Sequence, residues 1–242
     1  MQTADPLRTF LRERNGTMIS SFFSPASKTV STGNQPLSDR YIAWIDGVGT
    51  WLILTGSSIS IGRVNGSVSP LIKTSSIKQE SEIALVANLS RHHASIKRVD
   101  ESYVLKPDSS VKIQGRPINF ETVLPDRCEI TFGESVRFLF SIPTPLSATA
   151  KMTFASDHRP RTSVDGVILM AETCLLGPSA SDHICCRSWS ESIVLVQTSS
   201  GIVVKSKQEL QIAGRKAKTT DLISNGQVVS GDDFRFRLEP LI

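Results

Sequence analysis

Cysteine is scarce in this chain: there are four, Cys128, Cys174, Cys185 and Cys186, and two are adjacent. Adjacent cysteines suit no ordinary disulfide framework, so reduced thiols in the cytoplasm are expected. Histidine is equally rare, and none of His92, His93, His158 and His183 is spaced to serve a candidate nucleophile. Gly-x-Ser-x-Gly, His-Glu-x-x-His, a Walker loop and the dinucleotide glycine fingerprint are all missing. His183 and Cys185 alternate like half a metal site, but no second ligand pair stands at a convincing spacing. No catalytic residue, metal or cofactor is therefore expected. No apolar run approaches the roughly 20 residues that cross a bilayer. The first residues mix acids with bases and lack an apolar core, so neither a membrane span nor a signal peptide is expected. Charge is not concentrated either. The net +4 divides into +2 for residues 1–40, +1 for 41–143 and +1 for 144–242. A duplex-nucleic-acid binder gathers its bases on one face, so nucleic acid is not an expected partner.

What is present is ordinary core material, 39% hydrophobic, in short runs. Residues 1–40 read as a tail. Asp5 can cap and Pro6 can open a short helix near 6–14, with Leu7, Phe10 and Leu11 on one face and Asn15-Gly16 as its stop. A frayed tail is the alternative. Residues 17–40 are linker-like. From Tyr41 the texture is all-β, with runs such as Trp51-Leu-Ile-Leu54, Ile59-Ser-Ile61, Tyr103-Val-Leu105 and Val136-Arg-Phe-Leu-Phe140 between turn residues. The stretch 143–163, with Pro143, Pro145 and Pro160, reads as an interdomain linker. A second set follows, including Val167-Ile-Leu-Met170, Ile193-Val-Leu-Val196 and Phe234-Arg-Phe-Arg-Leu238. The expectation is two β-sandwich domains in tandem, 41–142 and 164–242.

The two sets echo each other. Ile45-Asp-Gly-Val48 matches Val164-Asp-Gly-Val167, Val111-Lys-Ile-Gln-Gly-Arg116 matches Leu210-Gln-Ile-Ala-Gly-Arg215, and Gly133-Glu-Ser-Val-Arg-Phe138 matches Gly231-Asp-Asp-Phe-Arg-Phe236. The preserved order points to a duplication.

The first set carries a motif series. Ile59-Ser-Ile-Gly-Arg63 closes a strand on Gly62-Arg63. Leu89-Ser-Arg-His-His-Ala94 begins 26 positions after Arg63, a strand follows at Tyr103, and Gly133-Glu134 precedes the closing strand. Residues 41–142 thus resemble the forkhead-associated (FHA) domain. The resemblance implies an eleven-stranded sandwich that binds phosphothreonine peptides through loops at one end. It implies Arg63, Ser90 and Arg91 as phosphopeptide-binding residues, with Gly62 and His93 supporting them from behind. His92 would be exposed or face the peptide. One departure stands out: the turn Lys106-Pro-Asp-Ser-Ser110 lacks the family's peptide-gripping Asn, leaving Ser109 or Ser110 as substitutes. The Ser-rich interval Val64–Glu80 would shape the rim.

In the second set Pro178 stands where Arg63 stands in the first, and no Ser-Arg-x-His-Ala occurs. It reads as a degenerate FHA-like copy. The whole reads as a non-catalytic adaptor whose partner is a phosphothreonine-containing protein made by a Ser/Thr kinase. A phospho-independent scaffold that keeps only the fold is the alternative, and the oligomeric state is left open.

Overall fold

Strand follows strand from Arg40 onward, because short apolar runs alternate with turn residues throughout. The computed structural model describes residues 38–64, 81–218 and 220–241. The helix expected near 6–14, the tail up to residue 37 and residues 65–80 of the Ser-rich rim lie outside the described residues.

In chain order the first strands are β1 (Arg40–Ile45), β2 (Gly49–Leu54), β3 (Ser58–Arg63), β4 (Ile83–Leu85), β5 (Ala94–Val99), β6 (Ser102–Pro107), β7 (Val111–Ile113), β8 (Arg116–Ile118), β9 (Thr122–Val123), β10 (Cys128–Phe132) and β11 (Val136–Ser141). They are followed by β12 (Ala150–Phe154), β13 (Gly166–Leu169), β14 (Thr173–Gly177), β15 (Ile184–Cys185), β16 (Ile193–Thr198), β17 (Gly201–Lys205), β18 (Gln211–Ile212), β19 (Arg215–Lys216), β20 (Val228–Ser230) and β21 (Arg235–Pro240). The fold is all-β, with no helix among the described residues.

One twelve-stranded sheet runs β19-β18-β20-β21-β1-β2-β13-β12-β11-β10-β7-β8. A five-stranded sheet, β4-β3-β5-β6-β9, and a four-stranded sheet, β15-β14-β16-β17, complete two sandwiches. Two cores result. The first joins Ile130, Phe138, Phe140 and Met152 of the long sheet to Ile61, Leu85, Ile96 and Leu105 of the five-stranded one. The second joins Ile45, Val229, Phe236 and Leu238 to Leu176, Ile184, Leu195 and Val204 of the four-stranded one.

The strands at the centre of the long sheet serve both cores. Successive side chains point to opposite faces of a strand. Leu52 and Leu54 of β2 enter the first core, and Trp51 and Ile53 enter the second. In β13, Val167 and Leu169 face the first core while Ile168 faces the second. This two-sided burial explains why both segments are continuous apolar runs rather than alternating ones. They pair in parallel, Leu52 with Val167 and Leu54 with Leu169.

The hairpins are exchanged between the sandwiches. β1, ahead of the first sandwich in sequence, pairs with β21 and completes the second, with Ile45 opposite Phe236. β12 pairs with β11 and completes the first, with Met152 opposite Phe140. The stretch 143–163, expected as a linker, therefore contains a core strand. Its Ala150 and Met152 are fully buried while Lys151 and Thr153 alternate with them. Residues 36–242 cluster as a single unit.

Two of the three echoes fall at matching places. Gln114-Gly115 (φ 49° and 76°) and Ala213-Gly214 (φ 51° and 74°) turn the β7–β8 and β18–β19 hairpins. Both pairs are left-handed at each central position, as a two-residue hairpin of this kind requires. Gly133 and Gly231 each sit in the turn before the closing strand, β11 or β21. The first echo does not match. Asp46-Gly47 turns between β1 and β2, whereas Gly166 opens β13 beside the Trp51 ring, where a Cβ would fall 2.4 Å from the ring.

Candidate functional site

The candidate site forms where β3 ends. Gly62 is needed there because the β4–β5 loop crosses directly over it. A Cβ at Gly62 would lie 1.7 Å from the Arg91 carbonyl oxygen and 2.8 Å from Ser81 Oγ. Ser81 Oγ itself donates to that carbonyl at 2.9 Å. The crossing is fixed by Arg63 N–H donating to Ser90 O (2.9 Å) and His93 N–H to Ile61 O (2.8 Å). Gly62→Ala must push the loop away and should cost about 3 kcal/mol. Urea denaturation reads this, and an unchanged midpoint would mean that the loop yields freely.

His93 is buried and holds three segments together. Its Nδ1 accepts from Ser90 N–H (3.3 Å), so Nε2 carries the proton and donates to Ser110 O at 2.8 Å. The same carbonyl accepts from Gly133 N–H at 2.8 Å. The β4–β5 loop, the β6–β7 turn and the β10–β11 turn are thus tied behind the site. The ring also meets Phe132 edge-on, with centroids 6.2 Å apart.

At the surface, Ser90 Oγ lies 2.7 Å from Ser109 Oγ. The turn presents Ser109 by donating the Asp108 and Ser109 N–H groups to His93 O, each at 3.0 Å. Arg63 and Arg91 are exposed, and neither forms an ion pair among the described residues. The Ser90 and Ser109 hydroxyls thus meet, with Arg63 tied to Ser90 through the backbone and Arg91 next to it in the chain. Ser110 contributes its carbonyl to His93, and its hydroxyl has no hydrogen-bond partner among the described residues. His92 is exposed. Sequence reading missed Asn119, which lines a groove of about 300 Å³ with Pro107, Asp108, Ser109 and Ser110. It follows the β7–β8 hairpin, and no spacing rule links it to the turn it faces.

The corresponding end of the second sandwich is built differently. Gly177 ends β14 under a similar close approach, with a Cβ position 2.2 Å from Ser192 Oγ. Pro178 follows it and has no N–H to offer. Here the Asp233 carboxylate accepts from Ser190 N–H and from Gln208, and those bonds from Ser190 hold it below the usual carboxylate range. An exposed acid engaged by the chain's own donors thus occupies this loop end, where the first sandwich has arginines without acidic partners among the described residues.

No group of three or more His, Cys, Asp or Glu able to hold a metal ion occurs among the described residues. His183 is buried, with Nδ1 accepting from Leu175 N–H at 2.9 Å. Burial, reinforced by the Lys151 ammonium, pulls its pKa down to about 4. The unfolded chain takes up that proton below about pH 6.5. Stability from this group is therefore complete above pH 6.5 and falls on acidification toward pH 4, by up to about 3 kcal/mol. Denaturation midpoints between pH 7 and 4.5 should show the decline, and His183→Leu should flatten it. An unchanged slope in that variant would assign the decline to other groups.

No helix among the described residues is long and apolar enough to cross a membrane. No protein-family model matches the chain. No curated protein matches it. Among solved structures it is similar to the Rv0020c FHA structure, at 23% identity over 39% of this chain and 84% of that one, with a TM-score of 0.26. It is also similar to the N-terminal FHA domain from EssC, a component of the bacterial Type VII secretion apparatus, at 15% identity over 84% and 93% of the two chains, with a TM-score of 0.22. Both of these similar structures are FHA domains.

Proposed function

We propose that the first sandwich is an FHA-like module that reads phosphothreonine on a partner modified by a Ser/Thr kinase. The chain then acts as a non-catalytic adaptor. The observation that carries this reading is the Arg63, Ser90 and Ser109 cluster, organised from behind by His93 and left without a counter-ion among the described residues. A phosphothreonine brings about −1.5 to −2 charges and three strong acceptor oxygens. Arg63 offers a planar fork of donors, Ser90 and Ser109 offer hydroxyls, and Arg91 adds a second cation. Ser109 and Asn119 replace the missing turn Asn, offering a hydroxyl and an amide to the peptide backbone. The second sandwich, with Pro178 and the engaged Asp233, serves packing rather than phosphate recognition.

Calorimetry tests the reading. A phosphothreonine peptide selected from a degenerate library should bind the full chain at least tenfold tighter than its threonine counterpart. Equal binding of the two forms would discard the reading in favour of a phospho-independent scaffold.

A further inference from the structure

The turn of the exchanged hairpin, residues 155–165, reaches the same end of the first sandwich. Pro160 bridges to Leu85, and Val86 N–H donates to Arg159 O at 3.4 Å. Leu85 is in turn the β4 partner of Arg63. Pro160 therefore lies two strand spacings, about 10 Å, from Arg63. Arg159 and Arg161 flank it, both exposed.

This turn is held rather than loose. Arg159 Nη1 donates to the carbonyls of Ser156 (2.6 Å) and His158 (2.8 Å), and its guanidinium lies 4.7 Å over the Phe154 ring. Ser156 Oγ accepts from Arg137 N–H of β11 at 3.1 Å and contacts His158 Nδ1 at 3.1 Å. His158 Nε2 reaches Ser135 Oγ at 3.4 Å. The stacked fork is fixed through Nη1, and its Nε and Nη2 have no hydrogen-bond partner among the described residues. Neither Arg159 nor Arg161 forms an ion pair among those residues, and Asp157 and Glu134, also exposed, are paired with neither. The second sandwich has only the tight Asp46–Val48 turn between β1 and β2.

We propose that Arg159 and Arg161 form a second anion subsite, so that the first sandwich takes peptides carrying a second acidic group beside the phosphothreonine. The group is a carboxylate or a second phosphate, both of which match a guanidinium fork. An extended peptide advances about 3.3 Å per residue, so the 10 Å separation places that group about three residues from the phosphothreonine. The proposal rests on the phosphothreonine reading above.

The test uses the full chain and a phosphothreonine peptide otherwise built of Ala and Ser. Glu or phosphoserine is placed in turn at each position up to four residues away on either side. At one position about three residues away, Glu should tighten binding about fivefold and phosphoserine about tenfold or more. A gain with phosphoserine alone would assign the subsite to a second phosphate. The double variant Arg159→Ala/Arg161→Ala should lose the gain yet bind the parent peptide within about twofold of wild type, which also reports that it is folded. Arg161→Glu leaves the Arg159 stacking in place and should turn the gain into a penalty. A gain of equal size in wild type and double variant would overturn the subsite. So would the lack of a gain at any position while phosphothreonine itself binds, and the reading above would then stand alone. No preference for phosphothreonine over threonine would remove both.

Discussion

Met152→Asp should unfold the first sandwich, although it lies in a stretch whose composition resembles a linker. Met152 is fully buried in β12, opposite Phe140 of β11 and Val167 of β13. Removing its side chain from a packed core costs about 2–5 kcal/mol. An unpaired carboxylate in the same place costs several more, or is protonated at similar expense. A domain of this kind has about 5–15 kcal/mol in total. Circular dichroism at 25 °C should therefore show lost β signal, and the variant should have no cooperative urea transition near the wild-type midpoint. Leu146→Asp is the control. It lies six residues earlier in the same stretch, is 85% exposed, and should shift stability by less than about 0.5 kcal/mol. A Met152→Asp protein that unfolds at the wild-type midpoint would mean that β12 does not complete the first core.

The exchange behind that prediction was not legible in the sequence, and the reason is physical. Which strand β11 takes as a neighbour depends on contacts distant in the chain, and β1 and β12 can both present apolar residues to it. Short apolar runs say that a strand exists, not what it pairs with. β12 was hidden further, because only the short alternation of Ala150, Met152 and Phe154 marks it between Pro145 and Pro160. Trp51–Leu54 and Val167–Met170, by contrast, were readable as strands, and the structure accounts for their unbroken apolar character by burial on both faces.

At the site, the sequence located what geometry demands and missed what topology supplies. Gly62 and His93 carried a motif, and the structure gives each a contact that other residues could not make. The choice between Ser109 and Ser110 was open from sequence, since adjacent turn residues face different ways and no period applies. In the structure it is the Ser109 hydroxyl that meets Ser90, while Ser110 turns its carbonyl to His93. Arg159 had no motif at all. Its place near Arg63 comes from the exchanged hairpin, through Pro160 and Leu85.

Arg63→Ala should abolish most measurable phosphopeptide binding while leaving the fold intact. Arg63 is exposed and has no acidic partner among the described residues, so its guanidinium contributes little to stability. The bond from its N–H to Ser90 O and its pairing with Leu85 in β4 are made by the backbone and survive the substitution. Stability should therefore stay within about 0.5 kcal/mol of wild type. Binding is different. Removing a partner that faces a desolvated dianion costs on the order of 2–5 kcal/mol, and a micromolar complex holds only about 8 kcal/mol. The loss corresponds to roughly thirtyfold to several thousandfold, beyond the range of calorimetry for all but the tightest peptide. Arg215→Ala removes an exposed arginine from the β19 hairpin of the second sandwich and should leave affinity unchanged. Equal affinities for wild type and Arg63→Ala, with both proteins folded, would take phosphate recognition away from the end of β3 and leave the first sandwich a scaffold.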